Sequence, residues 1–401
     1  MKEIKIGLVG LGHRGLGLLK GSILPQGEKV TAVCDLFEER IEQGVDIVYK
    51  ACGEKPAAYT NYYDMLADDN VNTIVIASYW ETHVELAVAA MKAGKPVAME
   101  VGGAYTIDQC YELVDTYEST LTPFMFLENC CFGRREMMVL NMVKKGLFGE
   151  IVHCSGGYMH DLRDEISGGI ENKHYRLRNY ISRNCENYPT HELGPIAKVL
   201  NINHGNRMMT LSSTASKSAG LHEYIMNKKS DDAFLTKQTF AQGDVITTVI
   251  KCANGETIVL TLDTTLPRFY SRGFTVRGTK GMYEEATDSV FLDNEEHNAH
   301  HFDWLNTYIK NAEKYEEEYE HPVWKEYIDS GLVGDHGGMD GLEFKFFFEA
   351  LKNNTPMPID VYDAASWMAI TALSEMSIAK GGQVVDIPDF TRGKWLMNII
   401  D

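Results

Sequence analysis

Basic residues are the scarce charge class in this 401-residue chain: 38 lysines and arginines stand against 57 aspartates and glutamates, a formal net charge of −19. A polyanion, whether nucleic acid or an acidic membrane surface, has to be met by a local basic patch, and the sequence holds none. No apolar run approaches the ~20 residues that a membrane span requires. The cysteines (Cys34, Cys52, Cys110, Cys130, Cys131, Cys154, Cys185 and Cys252) fall at no zinc-ligand or C-x-x-C spacing, and Cys130 and Cys131 are adjacent, an unfavourable pair to bridge. That excludes a disulfide scaffold or zinc module and suits reduced thiols in a cytosolic protein. No internal repeat or low-complexity linker is present. The opening stretch MKEIKIGLVGLG enters a strand pattern at once, leaving no room for a leader ahead of the fold, so the expected compartment is the cytoplasm. The expected partner is a small, neutral or locally compensated ligand, with no nucleic acid and no membrane.

What is present is enough apolar residue for more than one core. Single cores stop growing near ~250–300 residues, so two domains are expected. Lys5–Gly10, Lys29–Asp35, Asn72–Ser78, Lys95–Glu100 and the PFMFLEN stretch ending at Asn129 read as buried strands, and helical patterns separate them. Strands alternating with helices imply βαβ units and a parallel sheet. After Asn129 the texture changes to a helix and then segments with alternating apolar and polar residues, such as DVITTVIKCA and ETIVLTLDTT, which suit a mainly antiparallel sheet. The expected fold is α/β: an N-terminal doubly wound parallel sheet over 1–129 and an α+β domain over 130–401.

Gly10-Leu11-Gly12-His13-Arg14-Gly15 matches G-x-G-x-x-G between the first strand and its helix. Gly10 permits the tight turn, Gly12 lets the backbone approach a pyrophosphate, and Gly15 allows close helix–strand packing. Asp35 ends the second strand about 20 residues on, where a carboxylate binds ribose hydroxyls and repels a 2′-phosphate, favouring NAD over NADP. Trp80, Glu81, Thr82 and His83 follow the strand NTIVIAS, and Glu100 with Val101 ends KPVAME; both lie at carboxyl ends of a parallel sheet, where doubly wound folds bind ligands. For Thr82 the competing reading is a helix N-cap, and for Glu100 an exposed strand-end charge. His191 opens a helix after Asn187-Tyr188-Pro189-Thr190, and its ordinary pKa near ~6.5 suits proton transfer at neutral pH. His336-Gly337-Gly338-Met339-Asp340 reads as a helix entry with capping roles.

Together GLVGLGHRG, WETH, KPVAMEV and the antiparallel second half resemble the Gfo/Idh/MocA oxidoreductase superfamily across essentially the whole chain. Within it, YPTHELGPIAKVLNINHGNRM, DTTLPRFYS, DHGGMDGLEF and DVYDAASWMAITALSEMS resemble the NAD-dependent α-N-acetylgalactosaminidases of glycoside hydrolase family 109. Two departures separate this chain from an ordinary sugar dehydrogenase of the superfamily. Val101 and Gly102 stand where Glu-Lys-Pro would continue from Glu100, and Asn187 stands where an Asp precedes the active-site histidine.

The resemblance implies NAD contacts at His13, Arg14, Asp35, Trp80, His83, Glu100, Val101 and Asn129, beside the Gly10, Gly12 and Gly15 loop. It sets the sugar against Tyr158, Arg176, Tyr188, Pro189, Thr190, His191 and Tyr270, with His191 the first candidate for proton work and Tyr270 or Tyr158 the second. The function it implies is cleavage of a terminal α-linked N-acetylgalactosamine by an oxidation–elimination–addition–reduction cycle with no net redox change. The alternative is an NAD-dependent sugar or inositol dehydrogenase. No His/Asp/Glu cluster has metal-ligand spacing, so no metal is expected. The exposed face of an antiparallel sheet allows a homo-oligomer.

Overall fold

The computed structural model describes residues 3–293, 307–331 and 333–397. The chain forms two compact units, one of Met1–Gly133 with Pro322–Ala365, the other of Arg134–His321 with Ser366–Asp401.

The first unit is built on six parallel strands: β1 (Lys5–Val9), β2 (Lys29–Cys34), β3 (Ala57–Tyr59), β4 (Thr73–Ile76), β5 (Val97–Glu100) and β6 (Phe124–Leu127). Their order is β3-β2-β1-β4-β5-β6. Every residue of β4, β5 and β6 is buried, as a sheet covered on both faces requires. The order reverses between β1 and β4, which makes the crevice beyond their carboxyl ends the ligand site of a doubly wound sheet. β3 escapes a sequence reading because its three residues, two exposed and one half-buried, show no period.

A single boundary after Asn129 assigned Pro322–Ala365 to the second domain, whereas these residues pack in the first unit. The reason is apolar. The helix Met339–Asn353 buries Leu342, Phe344, Phe347 and Phe348. The segment is also stitched by hydrogen bonds to backbone groups, one of which closes an open N–H of an edge strand. Trp324 Nε1 donates to the Phe132 carbonyl at 2.9 Å, Gln26 Nε2 to that of Gly341 at 2.9 Å, and the Phe126 N–H of edge strand β6 to that of Ile359 at 3.1 Å.

The second unit holds an eight-stranded sheet of β7 (Ile151–Met159), β8 (Met208–Ala215), β9 (Val245–Cys252), β10 (Thr257–Asp263), β11 (Thr275–Gly278), β12 (Gly281–Glu284), β13 (Ser289–Leu292) and β14 (Val385–Asp386). The order is β13-β12-β11-β7-β10-β9-β8-β14, antiparallel except for the parallel β7/β10 pair. Alternate residues of β9 and β10 are buried, so one face is covered. The helix Thr190–Val199 lies hard against β7: a Cβ on Gly156 would fall 1.9 Å from Glu192 Cγ, and glycine there lets the helix approach.

Candidate active site

The first unit presents the carboxyl ends of its strands as expected. Gly10 takes φ +91°, and a Cβ on it would strike Ala77 and Ser78 backbone atoms at 2.4–2.5 Å. A Cβ on Gly15 would lie 1.9 Å from the Gly10 carbonyl oxygen, so strand and helix meet only through glycine. Gly12 differs: the nearest protein atom to its Cβ would be 3.8 Å away. Nothing in the protein demands glycine there, which fits a cradle left open for a pyrophosphate. Asp35 is buried and accepts the N–H groups of Leu11 at 2.6 Å and Phe37 at 3.1 Å, with Arg40 Nη1 3.9 Å from Oδ2. The carboxylate is therefore locked at the end of β2 by the loop itself.

Around this loop the fold closes an ionic cluster. Arg14 Nε donates to Glu100 Oε1 at 2.7 Å, and its Nη1 and Nη2 donate to Asp340 at 2.7 and 3.0 Å. Asn129 Nδ2 reaches Asp340 Oδ1 at 2.7 Å, and His336 Nδ1 lies 2.8 Å from Oδ2. Burial opposes ionisation of Asp340, but the His336 and Arg14 contacts outweigh it and hold the carboxyl well below the usual carboxylate range. The Asp340 bond raises His336 in turn. Glu343, fully buried, has neither oxygen hydrogen-bonded; burial and then the charges of Glu100 and Asp340 push its carboxyl far up, so it stays protonated.

Glu100 is thus not the exposed strand-end charge, and Thr82 is not a cap. The cap position belongs to Tyr79, with Thr82 inside the first turn of the helix Trp80–Lys92, its hydroxyl donating to the Tyr79 carbonyl. Trp80 and His83 press against the turn after β5, where Cβ atoms on Gly102 and Gly103 would come within 2.6 Å of the indole and 2.4 Å of the His83 side chain. Val101 is buried at the position of the missing lysine. His83 is buried, with Nε2 3.0 Å from the Ser78 carbonyl; burial lowers its pKa and keeps it neutral. His13 opens the helix His13–Leu18 beside Arg14.

The second unit gathers every sugar residue named from the sequence except Pro189 and Thr190 into one aromatic cluster. Tyr158 and Tyr188 rings lie 4.4 Å apart, and His191 is 4.7 Å from Tyr188 and 5.4 Å from Tyr158. Tyr270 stands edge-on to Tyr158 at 6.3 Å. The buried Arg176 guanidinium sits 5.1 Å from the Tyr188 ring, with Nε 2.7 Å from Glu165. Burial works against the Arg176 charge, and the surrounding phenols with Glu165 more than offset it. Pro189 and Thr190 form the buried start of the His191 helix and supply its position.

Two members were missed. His160, two residues beyond Tyr158, has Nδ1 3.1 Å from the Tyr158 hydroxyl and its ring 5.1 Å from Tyr270. The period of two along a strand was the available signal. Asp340 lies in the segment His336–Asp340, which reads as a helix entry with capping roles, yet no side chain caps the helix Met339–Asn353. Its i, i+4 spacing to His336 across two glycines of φ +68° and +100° was the clue.

Residues 4–126 match the oxidoreductase family with an NAD-binding Rossmann fold, and residues 132–397 match the glycosyl hydrolase 109 C-terminal domain. This chain belongs to glycosyl hydrolase family 109. It is 39% identical to an alpha-N-acetylgalactosaminidase of Tannerella forsythia over 98% of this chain and 87% of that one. It is likewise 39% identical to a glycosyl hydrolase family 109 protein of Stenotrophomonas maltophilia, covering 98% and 90%. A scyllo-inositol dehydrogenase from Lactobacillus casei, solved with NAD(H) and scyllo-inositol, superposes with TM-score 0.67 at 14% identity over 96% and 99% of the chains. That likeness is one of fold. The family 109 chain is an enzyme with a nicotinamide-dinucleotide-type cofactor, its glycine loop fitting that group. Among the described residues no helix is long and apolar enough to cross a membrane.

Proposed function

We propose that the enzyme releases a terminal α-linked N-acetylgalactosamine from a small glycan, using NAD and no net redox change. The observation that carries this is the make-up of the cluster in the second unit: imidazoles, phenols and one guanidinium, with its rim carboxylate Glu165 tied to Arg176. Direct glycoside hydrolysis ordinarily uses two carboxylates free to act at the glycosidic bond, whereas the two beside this cluster are each held by an arginine, Glu165 by Arg176 and Asp161 by Arg163. The 39% identity to an alpha-N-acetylgalactosaminidase supports the sugar and the linkage. Val101 in place of the lysine disfavours the dehydrogenase alternative.

Bound nicotinamide supplies reversible hydride acceptance at C3, which acidifies the C2 proton. The protein's part is to orient the sugar and to move protons. Arg176 anchors hydroxyls or the acetamido carbonyl, Tyr188 and Tyr270 wall the ring, and His191 serves the leaving oxygen. Asp35, fixed by two backbone amides, is set for the ribose hydroxyls and against a 2′-phosphate, so NAD is the form bound.

The test is proton NMR of sugar released in heavy water. Deuterium at C2 with the original hydrogen kept at C3 is expected. Efficient cleavage with both positions unlabelled overturns the route, and washout of C3 hydrogen points to a dehydrogenase that exchanges its cofactor. Asp35→Ala is expected to weaken NAD binding and relax discrimination against NADP; equal affinities before and after would displace the ribose from this residue.

A further inference from the structure

A tyrosine with an ordinary pKa near ~10 is a poor base at neutral pH. Tyr158 has a neighbour that removes this obstacle. Tyr158 is the penultimate residue of β7, and His160 lies just past the strand's end with its backbone N–H on the Asp263 carbonyl at 2.9 Å, continuing the pairing of β7 with β10. Extended chain turns residues two apart to the same side, so the imidazole meets the phenol edge-on, 5.8 Å between ring centres at 82°, with Nδ1 3.1 Å from the hydroxyl.

We propose that His160 is a positioning residue that takes the phenolic proton of Tyr158 as Tyr158 takes the C2 proton of the sugar. This deepens the proposed glycosidase reading and rests on it. The C2–H bond breaks and an O–H bond forms on Tyr158; its original O–H bond breaks and an N–H bond forms at His160 Nδ1. The pair ends as neutral phenol and imidazolium, while the electron pair left on C2 expels the C1 substituent. No phenolate has to exist beforehand.

The surroundings of His160 suit an acceptor. Burial lowers its pKa first; Glu165 and Asp161 raise it, and Arg176 and His191 lower it, with the net result below the ordinary value of 6.5. Tyr158 and Tyr270 are the uncharged groups against the ring. The imidazole is therefore neutral at pH 7. Arg176, placed over Tyr188 and acting on Tyr158, favours negative charge on the phenol oxygen at mid-transfer.

His160→Gln keeps a hydrogen-bond acceptor for Tyr158 and cannot take the proton. The expected result is a fall in kcat/KM of about 100-fold, at the lower end of general-base effects, little change in KM, slower C2 exchange, and loss of the acid limb below pH 6.5. His160→Ala is expected to be rescued in part by added imidazole. Full activity, or a fall with the acid limb unmoved, overturns the proposal and leaves His160 a packing residue. A cofactor-free measurement separates this from the glycosidase reading: with ring-carbon-labelled tyrosine, the Tyr158 signal, identified by its loss in Tyr158→Phe, is expected to shift with the midpoint of His160 and not in His160→Gln. Coupling without glycoside cleavage sinks the glycosidase reading and keeps the pair; cleavage without coupling sinks the pair.

Discussion

Gly12 and Gly15 lie in one turn yet are glycines for opposite reasons. Gly15 answers to the protein, since a Cβ there would overlap the Gly10 carbonyl at 1.9 Å; a Cβ on Gly12 would meet nothing closer than 3.8 Å, so that glycine answers to a ligand. Alanine therefore separates the two roles. Gly15→Ala is expected to lower stability by about 1–3 kcal/mol or more, the cost of forced overpacking, and to shift the melting temperature down. Gly12→Ala is expected to melt normally and bind the dinucleotide weakly. Reversed behaviour would mean that the loop does not face the pyrophosphate. In the other unit His191 is the residue to remove. His191→Ala is expected to cut glycoside turnover by ~10²–10⁴-fold with fold and bound cofactor intact. Near-normal release of an aryl aglycone would take it out of the site.

At the scale of elements, the segment Pro322–Ala365 does more for the site than its position in the chain suggests. Its Asp340 binds Arg14, Asn129 and His336, three side chains drawn from the glycine loop, the turn after β6 and the segment itself. Asp340→Asn keeps the shape and removes the charge that orients Arg14. Cofactor affinity is expected to fall about tenfold or more, equivalent to ~1.4 kcal/mol, by calorimetry on the apoprotein. Unchanged affinity would make the cluster purely structural. The same segment marks the limit of sequence reading. β1, β2, β4, β5 and β6 were legible because short, mainly apolar runs alternating with helices point to a parallel sheet, and the G-x-G-x-x-G loop because its spacing is dictated by close backbone approach. The return of 322–365 was not, since a buried helix face does not say which core it joins. β8 was obscured by the register shift between Met208 and Thr210, which breaks its alternation, and by Ser213, buried through a hydroxyl contact with Thr248. His191 was visible as a histidine at a helix start; His160 was not, because its meaning depends on Tyr158 being its partner.

At the scale of the whole molecule, the acid excess continues into the interior. Besides Glu343, Glu186 is fully buried with neither carboxyl oxygen hydrogen-bonded, and burial alone pushes its pKa from 4.5 up to about 8. A raised folded pKa fixes the sign. Below pH 4.5 both folded and unfolded chains hold this proton and burial costs nothing in ionisation. Between 4.5 and about 8 the unfolded chain releases a proton that the fold retains, so stability declines as pH rises, by about 1.4 kcal/mol per pH unit for each such group. Glu343 acts in the same direction. Repulsion among surface charges at a net −19 also grows with pH, but salt screens it, with a Debye length of about 3 Å at 1 M, and salt leaves a buried carboxyl untouched. Denaturant unfolding at a series of pH values in high salt therefore isolates the interior. A decline from pH 5 to 8 is expected to persist there, and in Glu186→Gln its slope is expected to fall by about one proton, whatever the amide does to absolute stability. A slope that vanishes in salt, or is unchanged in the variant, would show that Glu186 reaches water or a partner and is not carried neutral inside the fold.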